Sequence, residues 1–166
     1  MKNNSFRLLS FSLFAFVFLS PLVASAQTGI TLFVGGVYFE HVEQTGVSGG
    51  VYIPVSGNIE AGAEVAYFFA VEVDDGDETA THINLNLRYA IVNTAVRVYV
   101  LGGVNSYTWS WEQSGGSETE SETQLHANIG GMAQFGAGRV GFFVAAKMMA
   151  GDTSSLVGSA GVTIGL

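Results

Sequence analysis

The sequence predicts an all-β chain: eight antiparallel strands closed into an up-and-down transmembrane β-barrel. Three observations carry that prediction. Eight short runs alternate apolar and polar residues, the connectors between them alternate tight and long, and the runs themselves are nearly free of charge. Alternation with period two places successive side chains on opposite faces of a strand. The clearest run is His82–Tyr89, with Ile83, Leu85, Leu87 and Tyr89 on one face and His82, Asn84, Asn86 and Arg88 on the other.

The N-terminal segment stands apart. Lys2 and Arg7 form a basic start, Leu8–Val17 is apolar apart from Ser10 and Ser12, and Ala24-Ser25-Ala26 is a small-residue cleavage site. This pattern is that of a secretory signal peptide, so residues 1–26 are set aside as an export signal and residues 27–166 are read as one barrel domain. The chain has no cysteine, so disulfides contribute nothing to its stability.

The strands are expected at Ile30–Val42, Val47–Val55, Ile59–Val71, Thr81–Ile91, Ala95–Trp111, Thr123–Phe135, Val140–Met149 and Leu156–Leu166. A tilted strand needs about 9–11 residues to cross a bilayer, and most of these runs reach that length. Ser56-Gly57-Asn58, Val92-Asn93-Thr94 and Gly136-Ala137-Gly138-Arg139 are tight turns of residues that accept positive φ. Glu43–Gly46, Glu72–Ala80, Glu112–Glu122 and Ala150–Ser155 are more polar and mostly longer. Short turns at one end and longer loops at the other are the outer-membrane pattern, with both termini on the periplasmic side.

Energetics choose the outward face. With Ile83, Leu85, Leu87 and Tyr89 outside, strand four meets lipid with hydrocarbon; the opposite phase would expose Arg88, and Arg at the midplane costs roughly 2–4 kcal/mol. A one-residue slip inverts every side chain, so the phase is decided. The same logic sends Ala61, Ala63, Val65, Tyr67 and Phe69 outward, with Glu60, Glu64 and Phe68 inside. Val51 and Ile53 face out and Ser48 and Tyr52 in. Leu125, Ala127, Ile129, Ala133 and Phe135 face out and Gln124, His126, Asn128, Met132 and Gln134 in. Phe142, Val144, Ala146 and Met148 face out and Lys147 in, and Ala160, Val162, Ile164 and Leu166 face out. Tyr67, Phe69, Trp109 and Trp111 at the loop end, and Tyr89 and Phe135 at the turn end, are expected to form aromatic belts. The phase of Trp109 and Trp111 is open, since the alternation blurs beyond Asn105.

Charge supports a chain hidden from bulk water. Without the first 26 residues, four bases (Arg88, Arg97, Arg139, Lys147) face 14 acids, a net charge of −10, and 18 of 140 residues are charged. That is about half the usual fraction of a soluble domain. Nine of the 14 acids lie in Glu72–Glu78 and Glu112–Glu122. So acidic a chain lacks the basic footprint of a nucleic-acid binder.

With its signal sequence, its alternation of turns and loops, and glycine-containing strands such as Gly49-Gly50-Val51-Tyr52, residues 27–166 resemble the small eight-stranded outer-membrane barrels, the OmpA-like and OmpX-like group with its opacity and adhesin relatives. That family usually closes on an alternating strand ending in Phe or Trp. Here Ala160, Val162 and Ile164 keep the alternation, but the last residue is Leu166. The resemblance implies an integral outer-membrane protein and makes a gated ion path conceivable.

Eight strands enclose an interior just wide enough to be filled by side chains. The lumen is expected to hold Glu40, Glu64, Arg88, Arg97, His126 and Lys147 as a polar network in which opposite charges pair. The leading functional expectation is a structural or surface-interaction protein acting through acidic loops 72–80 and 112–122, where Asp74, Asp75, Asp77, Glu78, Glu118, Glu120 and Glu122 collect. The alternatives are a narrow channel gated by a Glu–Arg pair and a soluble, lipocalin-like carrier with its apolar face turned inward. Asp74-Asp75-Gly76-Asp77-Glu78 does not follow the EF-hand ligand order, so no metal site is assigned. His126-Ala127-Asn128 lacks the His-x-Ser-Asn arrangement of lipid A deacylases, and no Ser-bearing signature stands beside His41 or His82. The chain is expected to be a monomer embedded in lipid, with no cofactor and no catalytic residues.

Overall fold

The computed structural model describes residues 29–40, 42–73, 76–113, 119–136, 139–151 and 154–166; the expected signal segment lies outside them. The strands are β1 (Thr31–Phe39), β2 (Gln44–Ser56), β3 (Ile59–Val73), β4 (Gly76–Asn93), β5 (Val96–Gln113), β6 (Thr119–Phe135), β7 (Val140–Ala150) and β8 (Ser155–Gly165). Each pairs antiparallel with the next. β1 then pairs with β8 from Thr31↔Gly165 to Phe39↔Val157, which closes the cylinder. Closure removes the open edges that a sheet would otherwise present.

The tight turns fall where Gly and Asn stand. Gly57, between β2 and β3, has φ +50°, a backbone conformation that costs Gly nothing and most residues something. At the other end, the connectors are shorter than their polarity suggests. The segments 72–80 and 112–122, expected as loops, are mostly strand: β3 runs to Val73, β4 begins at Gly76, β5 reaches Gln113 and β6 begins at Thr119. Polarity misleads here because the ladder continues once the strands leave lipid. Thr79, Thr108, Thr119 and Thr123 suit an extended backbone, and the Thr108 and Thr123 hydroxyls bond across β5 and β6 at 2.9 Å. β4 and β5 are 18 residues long and β6 is 17, well beyond a bilayer crossing. The excess projects at the loop end. The last β6–β7 pair is Ala127↔Ala150, whereas β6 continues on β5 up to Glu112↔Thr119. A bulge between Phe68 and Val71 marks where β3 leaves the cylinder wall.

The two faces are sorted as the alternation requires. Leu85, Leu87, Ile129, Phe142 and Val144 are exposed on the outside, while Phe33, Tyr52, Tyr99, Leu101, Met132 and Phe143 are buried within. A continuous outer band of Leu, Ile, Val and Phe is far larger than the apolar patches of soluble monomers. This overturns the lipocalin-like alternative, which needs the apolar face turned inward and Asn84, Asn86 and Arg88 in water; all three are buried in the lumen.

Aromatic placement follows in part. Tyr67 and Phe69 are exposed at the loop end, edge to face at 6.1 Å, and Tyr89 and Phe135 are exposed at the turn end. Trp109 and Trp111 do not join the belt. They continue the inward phase of Tyr99, Leu101, Asn105 and Tyr107, with Trp109 packed on the upper core and the Trp111 indole over Gly76.

Position along the cylinder sets the cost of a charge on its outer face. Leu85→Arg, in the middle of the band, should lower the unfolding free energy in lipid by roughly 2–4 kcal/mol, and Leu125→Arg, beyond the last β6–β7 pair, by about 0–1 kcal/mol. Urea titration of the two variants in bilayers, read by heat-modifiable gel migration, measures the difference.

Candidate functional site: the plugged lumen and its acidic mouth

The lumen is built in layers. Toward the turn end, Phe33, Tyr52, Ala90, Tyr99, Leu101, Met132 and Phe143 pack together. Toward the loop end, Val37, Phe39, Ala66, Phe68, Ala80, Tyr107, Met149 and Val157 form a second cluster. His82 sits among the rings of Phe39, Phe68 and Tyr107, with centroids 5.0, 4.6 and 4.9 Å away. Between and within these clusters lie two ion pairs and a group of Asn side chains. Aromatics therefore fill much of an interior that the sequence suggested was polar, because a bore this narrow has to be packed with side chains at interior density.

The lower ion pair centres on Arg88. Its side chain is fully buried, while Glu60 keeps 17% exposure. Nε donates to Glu60 Oε2 at 2.9 Å, Nη2 donates to the same oxygen, and Nη1 reaches Met132 Sδ at 3.1 Å. The guanidinium carbon lies 3.8 Å from the Tyr52 ring centroid and 4.1 Å from that of Tyr99. Two ring faces, a carboxylate and a thioether thus replace the water that Arg88 gave up. Gly62 makes this possible: a Cβ there would fall 2.3 Å from Tyr52 Cδ1, so only glycine lets the ring lie flat between Glu60 and Glu64.

The upper pair joins Lys147 Nζ to Glu64 Oε2, with both side chains 5% exposed. Beside it, Asn105 Nδ2 donates to Asn84 Oδ1 at 2.9 Å, and Asn128 Nδ2 donates to the same oxygen at 3.4 Å. Glu60 and Arg88 are direct partners across the β3–β4 ladder, 28 residues apart, whereas Glu64 on β3 and Lys147 on β7, 83 residues apart, meet across the bore.

The expected lumen residues divide. Glu64, Arg88 and Lys147 lie in the network, but Arg88 pairs with Glu60 rather than Glu64. His126 faces inward at the loop-end mouth, its ring stacked 6.3 Å from Tyr107. Glu40 is exposed at the end of β1 in phase with the outward Tyr38, and so is no part of the lumen. Arg97 has the inward phase but stands exposed at the turn-end rim, where the cylinder opens to water. Glu60, Tyr52 and Tyr99 were missed as members of the site. Strand alternation puts all three inside, but which carboxylate meets which base depends on the register of β3 on β4 and on side-chain reach across the bore.

The acidic residues fall at the loop end, mostly on the projecting hairpins. Asp77 is exposed and faces out, whereas Glu78, opposite Trp111, has the inward phase. Glu120 and Glu122 lie opposite Trp111 and Trp109 and are exposed. Asp74, Asp75 and Glu118 lie outside the described residues. With both lumen acids paired, the other 12 acids fall in segments 40–46, 72–80, 112–122 and 150–155, none of which contains Lys or Arg. Among the described residues no three His, Asp or Glu side chains converge as a metal site.

No protein-family model and no curated protein matches the sequence. Solved structures do match the fold. The N-terminal β-barrel domain of Pseudomonas aeruginosa OprF superposes with a TM-score of 0.64 at 12% identity, over 86% of this chain and 100% of that one. Neisserial surface protein A gives 0.69 at 10% identity, over 86% and 100%. Ail, the attachment invasion locus protein of Yersinia pestis, gives 0.58 at 15% identity, over 83% and 99%. The fold is that of the small eight-stranded outer-membrane barrels.

Breaking one partner of a buried pair leaves the other charge stranded, at a cost of about 3–5 kcal/mol. Lys147→Met should therefore destabilise the barrel by that amount, and adding Glu64→Gln should restore most of it. Equilibrium unfolding of the single and double variants in micelles gives the coupling energy; simple additivity would argue against a buried ion pair.

Proposed function

We propose that the chain is an integral outer-membrane barrel, impermeable to solutes, monomeric and without catalytic activity, whose biological contacts are made by its acidic loop end. The observation that carries this reading is the sorting of charge. The lumen acids are each matched by a base, the other described carboxylates gather at one end, and the sequence segments that hold the remaining acids contain no Lys or Arg. An uncompensated field of one sign attracts cationic partners and repels anionic ones. One Ail structure holds the heparin analogue sucrose octasulfate. The present loop end, without Lys or Arg, has no corresponding chemistry for a polyanion. Its partners are cationic groups, or divalent ions that bridge it to anionic headgroups.

Exposure of the loop end at the cell surface is tested by labelling. The chain contains no cysteine, so Ser154→Cys at the loop end and Asn93→Cys at the turn end, both exposed, introduce single thiols. A membrane-impermeant maleimide applied to intact cells should label the first and spare the second until the outer membrane is opened.

A second reading, a gated ion path, draws on the Asn layer. Asn105 Oδ1 and Asn128 Oδ1 are buried without a hydrogen-bond partner among the described residues, and such atoms recruit internal water. Wetting of one layer does not open the two aromatic clusters that flank it. Planar-bilayer recordings should show no current steps for the wild type, Glu64→Gln or Arg88→Ala; steps in the wild type that either substitution alters would favour the channel.

A further inference from the structure

At the loop-end mouth lies a half-open cavity of about 260 Å³, between the upper aromatic cluster and the β4–β5 extension. Phe39 and Tyr107 contribute to its lining together with Trp109, His126, Met149 and the Glu78 side chain. Its size suits a small molecule rather than a drug-sized one. Glu122, opposite Trp109 in the β5–β6 ladder, accepts a hydrogen bond from Gln124 Nε2 at 2.9 Å, which holds a second carboxylate beside the opening. Lys147, on β7 below the mouth, is committed to Glu64.

Aromatic rings, a thioether and one carboxylate, with His126 but no Lys or Arg in the lining, form a distinctive combination. Aromatic faces attract cations through their quadrupoles, and they do so best for weakly hydrated organic cations such as quaternary ammonium groups. A carboxylate beside them adds a full opposite charge. Inorganic cations are strongly hydrated and gain little from ring faces; neutral apolar molecules gain nothing from Glu78. The same chain shows the principle inside the protein, where Arg88 lies between two tyrosine rings against Glu60.

We infer that this cavity is a binding site for a small quaternary-ammonium cation, held against the rings of Trp109 and Tyr107 with Glu78 as its counter-charge. The inference deepens the reading of an acidic, cation-seeking loop end by naming a ligand class and a place for it.

The test uses the two tryptophans. Trp109 and Trp111 are the whole tryptophan content of the chain and both stand on the inward face at this mouth, so intrinsic fluorescence reports directly on occupancy. Protein purified from membranes in a nonionic maltoside, which carries no choline group, is titrated with choline and with its neutral isostere 3,3-dimethylbutanol, and the titration is repeated by calorimetry. Choline should give a saturable signal that the isostere does not give. Glu78→Gln and Trp109→Leu should each weaken choline binding about tenfold; Trp109→Phe should retain most of it. Glu72→Gln, which removes the same charge from an exposed position, should leave affinity unchanged. Heat-modifiable migration shows that each variant is folded. Absence of a saturable signal up to 10-fold above the millimolar range, equal binding of the isostere, or equal loss in Glu72→Gln and Glu78→Gln would each overturn the assignment. Because the titration is done in micelles, its outcome is independent of the thiol-labelling result that tests surface exposure.

Discussion

A cylinder of eight strands leaves no room for bulk water along its axis, and the rest of the structure follows from that narrowness. Hydrocarbon outside demands that every backbone polar group be bonded within the wall, and closure of β1 on β8 meets that demand. A dry bore inside demands that every inward charge find an opposite one. Glu60 with Arg88 and Glu64 with Lys147 meet the second demand. The aromatic clusters at either side then exclude the water that would weaken those pairs. The barrel is a core turned outside in, in which polar contacts at the centre take the place that aliphatic packing holds in a soluble domain.

This arrangement assigns different work to the two ends. The turn end is flush, with short Gly- and Asn-containing connectors and exposed Arg97 and Arg139. The loop end is tall, because β4, β5 and β6 run on as ladders well past the shorter β7 and β8. Extended hairpins hold their side chains in fixed register, as free loops do not. Glu78, Glu120 and Glu122 are therefore displayed at set positions opposite Trp111 and Trp109, and the mouth between them has a definite shape.

How much of this could be read from the sequence differs from level to level. The barrel, its strand number, its order and its outward phase were legible because lipid imposes a strict binary pattern, and a charge such as Arg88 decides the phase of a whole strand. Strand ends were less legible at the loop side: once the ladder leaves the membrane, Thr79, Ser121 and Glu120 look like loop residues although they remain paired. Trp109 and Trp111 illustrate the same limit, since aromatic residues serve equally at a lipid interface and over a glycine inside. Within the lumen, alternation placed Glu64, Arg88 and Lys147 correctly but could not choose partners. Glu60 and Glu64 share a face; the β3–β4 register sets Arg88 opposite Glu60, and Lys147 reaches Glu64 from β7. Glu40 failed because both faces of β1 are apolar, Phe33, Val37 and Phe39 inside and Leu32, Val34 and Tyr38 outside, so the alternation there does not choose a phase.

The segregation of charge also bears on how such cylinders share a membrane. Two copies standing side by side would bring crowns of the same sign to the same height, separated by little more than the barrel walls. At physiological ionic strength the repulsion between exposed charges decays over about 8 Å, so it acts mainly on neighbours nearly in touch. Lateral crowding would then depend on the counterions between the crowns: dilute monovalent salt keeps copies apart, and multivalent ions let them approach. A narrow axis that accepts only balanced charges would thereby bear on the spacing among many copies.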